Sequence, residues 1–360
     1  MDQKVRLFVQ KELMAPGMSY SSLLYPFWGP PDKQKAMPYV MNALVMHGFD
    51  KKYFELVDAI DAADYVLIPH DYWRLKKKRP DLLRAMVQDA QAHKKPLLID
   101  AASDQSGVVQ VPNARVMRIN QYRFEPRPYE ITMPVSCEDL LEVYQKGTLA
   151  LREKHKIPTI GFVGWAELSL KQRLRSLIKE LPIRFLGLFD NRYRAKEKGV
   201  FWRERAVRAF MRSSVVTTNF IIRSSYSGHS ETASGNLEKI RAEYVDNLVA
   251  NDYALVVRGD ANIATRFYEI LSVGRIPVFI DTECVLPLAD IINYRSFCVF
   301  IDHTDVARAP EILAAFHDQL DPQEFIQMQQ RAREAYERYL RYDAFSPYLA
   351  RELLASPSNV

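Results

Sequence analysis

Short runs of consecutive apolar residues recur along the chain, separated by longer stretches in which apolar residues return every three or four positions. "VRLFV" (5–9), "YVLIP" (65–69), "PLLID" (96–100) and "ARVMRI" (114–119) have the length and composition of buried strands. Between them, "ALVMHG", "KYFELVDAIDAAD" and "DLLRAMVQDAQAHK" carry helical spacing. The proline-rich "YRFEPRPYEITMPVS" (122–136) breaks the pattern, and a polar stretch of helical character, "CEDLLEVYQKGTLALREKHK" (137–156), leads into a second series. That series predicts strands at "TIGFVGWA" (159–166), "IRFLGLF" (183–189), "VVTTNFIIR" (215–223), "YALVV" (253–257), "IPVFID" (276–281) and "FCVFID" (297–302). Helices are expected over 167–180, 200–212, 236–250 and 264–273, and helical pattern fills 304–354.

Strands alternating with helices predict an α/β fold with parallel sheets covered on both faces. Two such series in one chain predict two Rossmann-like domains whose sheets face a cleft. The expected boundaries are 1–135 for the first domain, 136–158 for an inter-domain segment and 159–335 for the second domain. A helical tail over 336–360 is expected to return to the first domain. The length of 360 residues fits two cores better than one.

Composition narrows the function classes. With 48% hydrophobic and 26% charged residues the chain reads as globular, and the net charge of +5 suits an anionic ligand or surface. Three cysteines, Cys137, Cys284 and Cys298, form no paired framework and no Cys-x-x-Cys spacing, which fits a reducing compartment. "MDQKVRLFVQKELM" carries charge from its second residue and has no apolar signal core, and no window approaches the ~18 apolar residues of a membrane span. A cytoplasmic location is the expectation, with peripheral contact at the inner membrane face through the basic run "RLKKKRP" (74–80) as an addition. No RNA-binding signature or interleaving of basic and aromatic residues supports nucleic acid as a partner.

In open α/β sheets ligands bind beyond the carboxyl ends of strands. The polar gap "RGDANIAT" (258–265) follows one such strand and opens the helix "TRFYEILSVG". Arg258 can offer a planar cation to a diphosphate, and Thr265 stands where a hydroxyl caps a helix or free amides bind phosphate. Glu269, one turn further, can accept hydrogen bonds from a ribose. The residues fit a plain connection equally well: a capped helix, a surface pair between Arg266 and Glu269, and Arg258 bridged to Asp260. An integrin-type use of the Arg-Gly-Asp triplet requires an extracellular partner that a cytoplasmic chain does not meet.

"GFVGWA" (161–166) brings two glycines to a second strand end, where Gly164 lets a backbone approach a phosphate or simply makes a tight turn. It is only a fragment of the dinucleotide fingerprint, so a dehydrogenase gains little support. Arg173 on the next helix is a candidate donor contact or a solvated cation. For a general base the candidates are His70 and Asp71 in "IPHDYW" (68–73) and His229 in "SYSGHSETASGN" (225–236), each also readable as structural. No Asp-x-Asp motif occurs and the seven histidines are scattered, so neither a metal nor another cofactor is expected.

The segment "YALVVRGDANIATRFYEILSVGRIPVFIDTECVLPLADIINYRSFCVFID" resembles the signature region of the exostosin-like glycosyltransferases in the order and spacing of its parts. A strand is followed by an R-G-D-type turn, then S/T-R-F-Y-E on a helix, G-x-I-P-V and an "LP" segment. "ADYVLIPHDYW", "YEITMP" and "GFVGWA" are similar to further islands of that family, more loosely. The resemblance implies a GT-B architecture and an inverting, metal-independent transfer from a nucleotide-sugar donor, UDP-linked before GDP-linked, to a hydroxyl of a glycan or glycolipid. A compact bacterial or viral-type member serving surface-polysaccharide synthesis is implied. Carried over by position, Arg258, Gly259 and Asp260 lie by the donor diphosphate, Thr265 and Arg266 bind phosphate, and Glu269 binds the ribose. The other reading is a non-catalytic protein that binds a nucleotide or glycan on the same scaffold.

Overall fold

The computed structural model describes residues 3–31, 38–223 and 237–355. Its strands are β1 (Val5–Phe8), β2 (Phe54–Leu56), β3 (Tyr65–Leu67), β4 (Leu97–Asp100), β5 (Ala114–Arg118), β6 (Glu130–Thr132), β7 (Thr159–Trp165), β8 (Thr217–Arg223), β9 (Tyr253–Val257), β10 (Ile276–Asp281) and β11 (Val299–Asp302). The helices are α1 (Tyr25–Trp28), α2 (Pro38–Met46), α3 (Tyr72–Lys78), α4 (Pro80–Ala92), α5 (Leu140–Tyr144), α6 (Leu170–Leu186), α7 (Asn191–Arg194), α8 (Gly199–Arg212), α9 (Leu237–Ala250), α10 (Thr265–Ser272), α11 (Ala309–Gln319), α12 (Pro322–Ala335) and α13 (Tyr342–Ala355).

The strands form two sheets, ordered β2-β1-β3-β4-β5-β6 and β11-β10-β9-β7-β8, and every ladder in both is parallel. The chain divides into two compact units, each built around one sheet. The first comprises 1–121, 125–136 and 338–360; the second comprises 122–124 and 137–337. Residues 137–158 pack as part of the second unit rather than standing apart, and the three residues Tyr122–Phe124 go with it as well.

Within the first unit, Val66 and Ile68, Leu97 and Ile99, and Ala114 and Val116 pack with Tyr72 and Leu75 of α3 and Met86 and Ala90 of α4. Helix α13 completes this unit: the Tyr65 hydroxyl donates to the Leu353 carbonyl (2.9 Å) and the Asp50 amide to the Ser346 hydroxyl (2.9 Å). The second core sets Tyr253, Leu255 and Val257 of β9 and Ile276, Val278 and Ile280 of β10 against Trp202 and Phe210 of α8 and Leu313 of α11. All five residues of β9 and all six of β10 are buried, which is why both appear in the sequence as unbroken apolar runs rather than as alternation.

Three local expectations are corrected. "IRFLGLF" (183–189) is not a strand, because α6 runs on through Leu186. A full capping box starts that helix: Ser169 Oγ accepts from the Gln172 amide, and the Gln172 side chain accepts from the Ser169 amide (3.1 Å). Phe185 and Leu188 continue the spacing of three and four begun at Leu170, and each residue added to a helix already started avoids the cost of a new nucleus. "KYFELVDAIDAAD" is not one helix; Phe54–Leu56 pairs with Val5–Leu7 as β2, and a single 3-10 turn follows. In 137–156 only Leu140–Tyr144 is α-helical.

Candidate functional site

Parallel sheets bring the carboxyl ends of β7, β9 and β10 to one edge of the second unit. Arg258, the residue after β9, is buried there and held by protein acceptors. Its Nη1 donates to the Tyr122 hydroxyl (2.6 Å) and the Ala195 carbonyl (2.7 Å), and its Nη2 to the Asp260 carbonyl (3.0 Å). The guanidinium also lies over the Tyr122 ring at 5.5 Å. The Asp260 partner is thus the backbone, and the carboxylate of that residue stands exposed. The Gly259 carbonyl packs against the start of α8: a Cβ on Gly199, the first residue of that helix, would lie 2.1 Å from it, so only glycine lets α8 start against this loop.

Helix α10 begins without a side-chain cap. Ala264 is its N-cap, in extended conformation, and Thr265 is the first helical residue, exposed; the expectation that the Thr265 hydroxyl caps the helix does not hold. The Phe267 amide donates to the Ala264 carbonyl (2.9 Å), while the amides of Thr265 and Arg266 receive no side-chain cap at the positive end of the helix dipole, where an anion is favoured. Arg266 turns away from that start. Its Nη2 donates to the Val163 carbonyl, and its guanidinium stacks on Phe162 at 4.3 Å and Tyr244 at 5.5 Å. Gly164 is what makes room: a Cβ there would meet the Arg266 Nη2 at 2.8 Å. The pair expected between Arg266 and Glu269 is therefore replaced by two separate arrangements.

Glu269 is buried and belongs to a network with α9. Arg241 Nη1 lies 2.7 Å from its carboxylate, and the Tyr244 hydroxyl donates to it at 2.7 Å. Burial works against the Arg241 charge, but Glu269, Tyr244 and Glu138 together outweigh it, so the guanidinium proton is held more tightly than usual. Burial and the Glu269 carboxylate push the Tyr244 hydroxyl well up. Arg173 also finds a protein partner, ion-pairing with Glu204 of α8.

Residues without a local signal complete this edge. Arg203 of α8 spans two strand ends, its Nε donating to the Arg258 carbonyl (3.2 Å) and its Nη1 to the Trp165 carbonyl (3.1 Å). Arg123 ion-pairs with Asp281 at the end of β10 (2.9 Å) and with Glu283 (3.1 Å). Lys196 lies over the rings of Tyr122 (5.4 Å), Phe124 (5.5 Å) and Tyr193 (5.9 Å).

In the first unit the expected base candidates turn out to be framework. His70 is fully buried; its Nε2 accepts from the Ala15 amide (2.9 Å) and its Nδ1–H donates to the Ser19 carbonyl (3.0 Å). Burial lowers its proton affinity against a weaker opposing effect of the Ser19 carbonyl, so it is a neutral strut. Asp71 is the N-cap of α3, accepting from the Arg74 amide (2.8 Å). His229 lies outside the described residues. The run 74–80 ends α3: Lys76, Lys77 and Lys78 are exposed in its last turn, where cations favour the helix dipole, and Arg79 pairs with Asp81 (2.6 Å).

The group that does face open space is Asp100, at the end of β4. Its carboxylate accepts from the Ser21 hydroxyl (2.6 Å) and the Ala102 amide (3.1 Å), and it lines a cavity of about 220 Å³ with Ser22, Met117, Met133, Ser136 and Tyr342. Burial raises its proton affinity above that of an ordinary carboxyl, against the two hydrogen bonds. Burial likewise raises Asp71, and the neighbouring Asp100 charge adds to that. The strand "PLLID" contains Asp100, and its place directly after three buried apolar residues is the signal by which it was findable.

Among known proteins and families, one family model matches part of the second unit. Residues 204–316, about a third of the chain and running from within α8 to within α11, match the model of the exostosin GT47 domain. No curated protein matches the chain. Among solved structures, TarM is 11% identical, with 75% of this chain and 57% of that chain covered and a TM-score of 0.30. A glycosyltransferase from Rickettsia africae ESF-5 is 9% identical, with 98% of this chain and 99% of that chain covered and a TM-score of 0.35. The chain thus spans little more than half the length of TarM. The unit that holds the polar strand ends is the one that carries the segment matching the exostosin GT47 domain.

Proposed function

We propose that the protein is an inverting glycosyltransferase, moving a sugar from a nucleotide-sugar donor to a hydroxyl of a glycan or glycolipid without a metal. The observation that carries the reading is the uncapped start of α10 inside the matched family segment. In glycosyl transfer negative charge gathers on the departing diphosphate, and a metal-free site must meet it with dipoles and cations already fixed. The Thr265 and Arg266 amides at the start of α10 supply such a place, and Arg258, Arg203 and Arg266 hold the strand ends around it. In this reading Arg258 and Gly259 set the turn, Glu269 fixes α10 against α9 through Arg241 and Tyr244, and UDP is the favoured nucleotide, GDP the second.

On the acceptor side Asp100, in place of His70 and Asp71, is the general base in this reading. A general base works best when its proton affinity is brought toward the working pH, and burial moves Asp100 in that direction. The Ser21 hydroxyl orients the carboxylate, leaving lone pairs for an acceptor hydroxyl. The cavity is smaller than a drug-sized site and suits one sugar ring, with apolar walls for its carbon face. A polysaccharide-building role at a cell surface is consistent with such an acceptor.

The test is Ala264→Asp. An Asp at that N-cap occupies the amides and places a negative charge where the diphosphate is proposed to sit. The helix should gain about 1 kcal/mol, while UDP and GDP binding measured by calorimetry should weaken more than tenfold. A variant that binds both nucleotides like the parent sinks the donor assignment. Full nucleotide binding with no sugar transfer across a panel of donors and acceptors points instead to a non-catalytic binding protein.

A further inference from the structure

Helix α6 is built inside out. Leu170, Leu174, Ile178, Leu181 and Phe185 recur at the spacing that places them on one face, and Leu188 and Phe189 extend the stripe beyond the helix end. These seven side chains are 59–86% exposed. The face turned to the protein is the polar one: Ser176 is buried, Arg173 pairs with Glu204, Arg184 lies 3.4 Å from Glu197, and Glu180 accepts from the Lys198 amide (3.1 Å). A helix in a soluble unit ordinarily does the reverse, and a contiguous apolar stripe left open marks a surface that something covers.

Charge says what covers it. Lys171, Arg175 and Lys179, all exposed, stand at intervals of four along one flank of the stripe. From Leu170 to Arg194 there are seven Lys and Arg against two acids, so this short segment carries the whole of the chain's net +5. Of the two acids, Asp190 is taken by Arg192 (2.7 Å). A second copy pairing through this stripe about a two-fold axis would bring the cationic flanks toward each other. An anionic bilayer meets both halves of the pattern, taking the apolar side chains below its headgroups and the cations at their level.

We propose that α6 and the turn after it, Leu170–Phe189, form an interfacial helix that docks the second unit onto an anionic lipid surface. This moves the lipid contact away from the basic run 74–80, where no exposed apolar stripe accompanies the lysines and Lys76 lies over the rings of Tyr72 and Trp73. The inference does not depend on sugar transfer and stands or falls by itself.

The experiment is flotation of the full chain with vesicles of phosphatidylcholine alone or with phosphatidylglycerol. The parent should float with the phosphatidylglycerol vesicles only and be released by salt. Leu174→Glu with Ile178→Glu should abolish flotation, and replacing Lys171, Arg175 and Lys179 by Gln should weaken it by about fivefold for each cation removed. Because these positions are exposed, both variants should keep the parent's melting temperature. As a second readout free of any folding concern, Leu188→Trp should shift its emission to the blue on phosphatidylglycerol vesicles. Failure of the parent to float, or flotation of the double Glu variant at parental level, overturns the proposal. So does a concentration-dependent dimer that the double Glu variant abolishes while the parent ignores vesicles.

Discussion

The two units end their central strands in opposite ways. After β9, the guanidinium of Arg258 spends its donors on Tyr122, Ala195 and Asp260, and Glu269 is closed by Arg241 and Tyr244. At the end of β4, the carboxylate of Asp100 has two donors and lines a cavity. The same topology therefore yields one edge where charges hold backbone in place and another where a charge is kept available. A charged residue at a strand end is not by itself a ligand contact; how many of its hydrogen bonds the protein already uses separates the two roles.

That contrast is open to direct attack, and the largest effect is expected on the closed side. Arg258→Ala leaves the Ala195 carbonyl and the Tyr122 hydroxyl without their buried donor, and should cost about 3 kcal/mol of stability. A fall in melting temperature of roughly 10 °C by calorimetry is expected; a change within about 2 °C would show that the site is not locked by this residue. On the open side, Asp100→Asn keeps the shape and removes the base. Transfer should slow by about a hundredfold or more with little loss of stability, and parental turnover in the Asn variant would remove Asp100 from the chemistry.

The smallest effect separates two carboxylates by the sign of their pH dependence. Asp252 sits among Arg152 (2.9 Å), His155 (3.0 Å) and the Thr159 amide (3.0 Å); burial pushes its proton affinity up, but these partners outweigh it and hold it below the ordinary value. Its contribution to stability is present above the ordinary carboxyl range and lost as pH falls through the lowered folded-state value. Asp100 is raised instead, so its ionisation costs stability above the folded-state value, and the folded state gains as pH falls toward the unfolded one. Asp252→Asn and Asp100→Asn should thus change the slope of stability against pH in opposite directions, each by at most about 1.4 kcal/mol per pH unit. Equal slopes in urea titrations of both variants would erase the distinction.

Much of the framework is legible in the sequence because it rests on local pattern. "YALVV" and "IPVFID" declare strands buried on both faces, and "TRFYEILS" declares the helix between them. What is not legible depends on distance along the chain. Arg258 and Tyr122 are 136 residues apart, and no rule of spacing connects them. Phe54–Leu56 is too short to announce itself as a strand, and is one only because β1 offers it a ladder. "IRFLGLF" differs for another reason: an apolar run predicts an interior strand, whereas Leu181, Phe185, Leu188 and Phe189 are on the outside.

The small excursion of Tyr122–Phe124 into the second unit has a consequence for anyone who would take the molecule apart. Tyr122 lies under Arg258 and forms an antiparallel bridge with Cys284, while Arg123 grips the end of β10. A fragment starting at Cys137 would contain the complete five-stranded sheet yet lack the ring and the cation that finish its working edge. The coding sequence therefore has no clean seam: modules exchanged at the obvious boundary would arrive with a missing piece left behind in the other half.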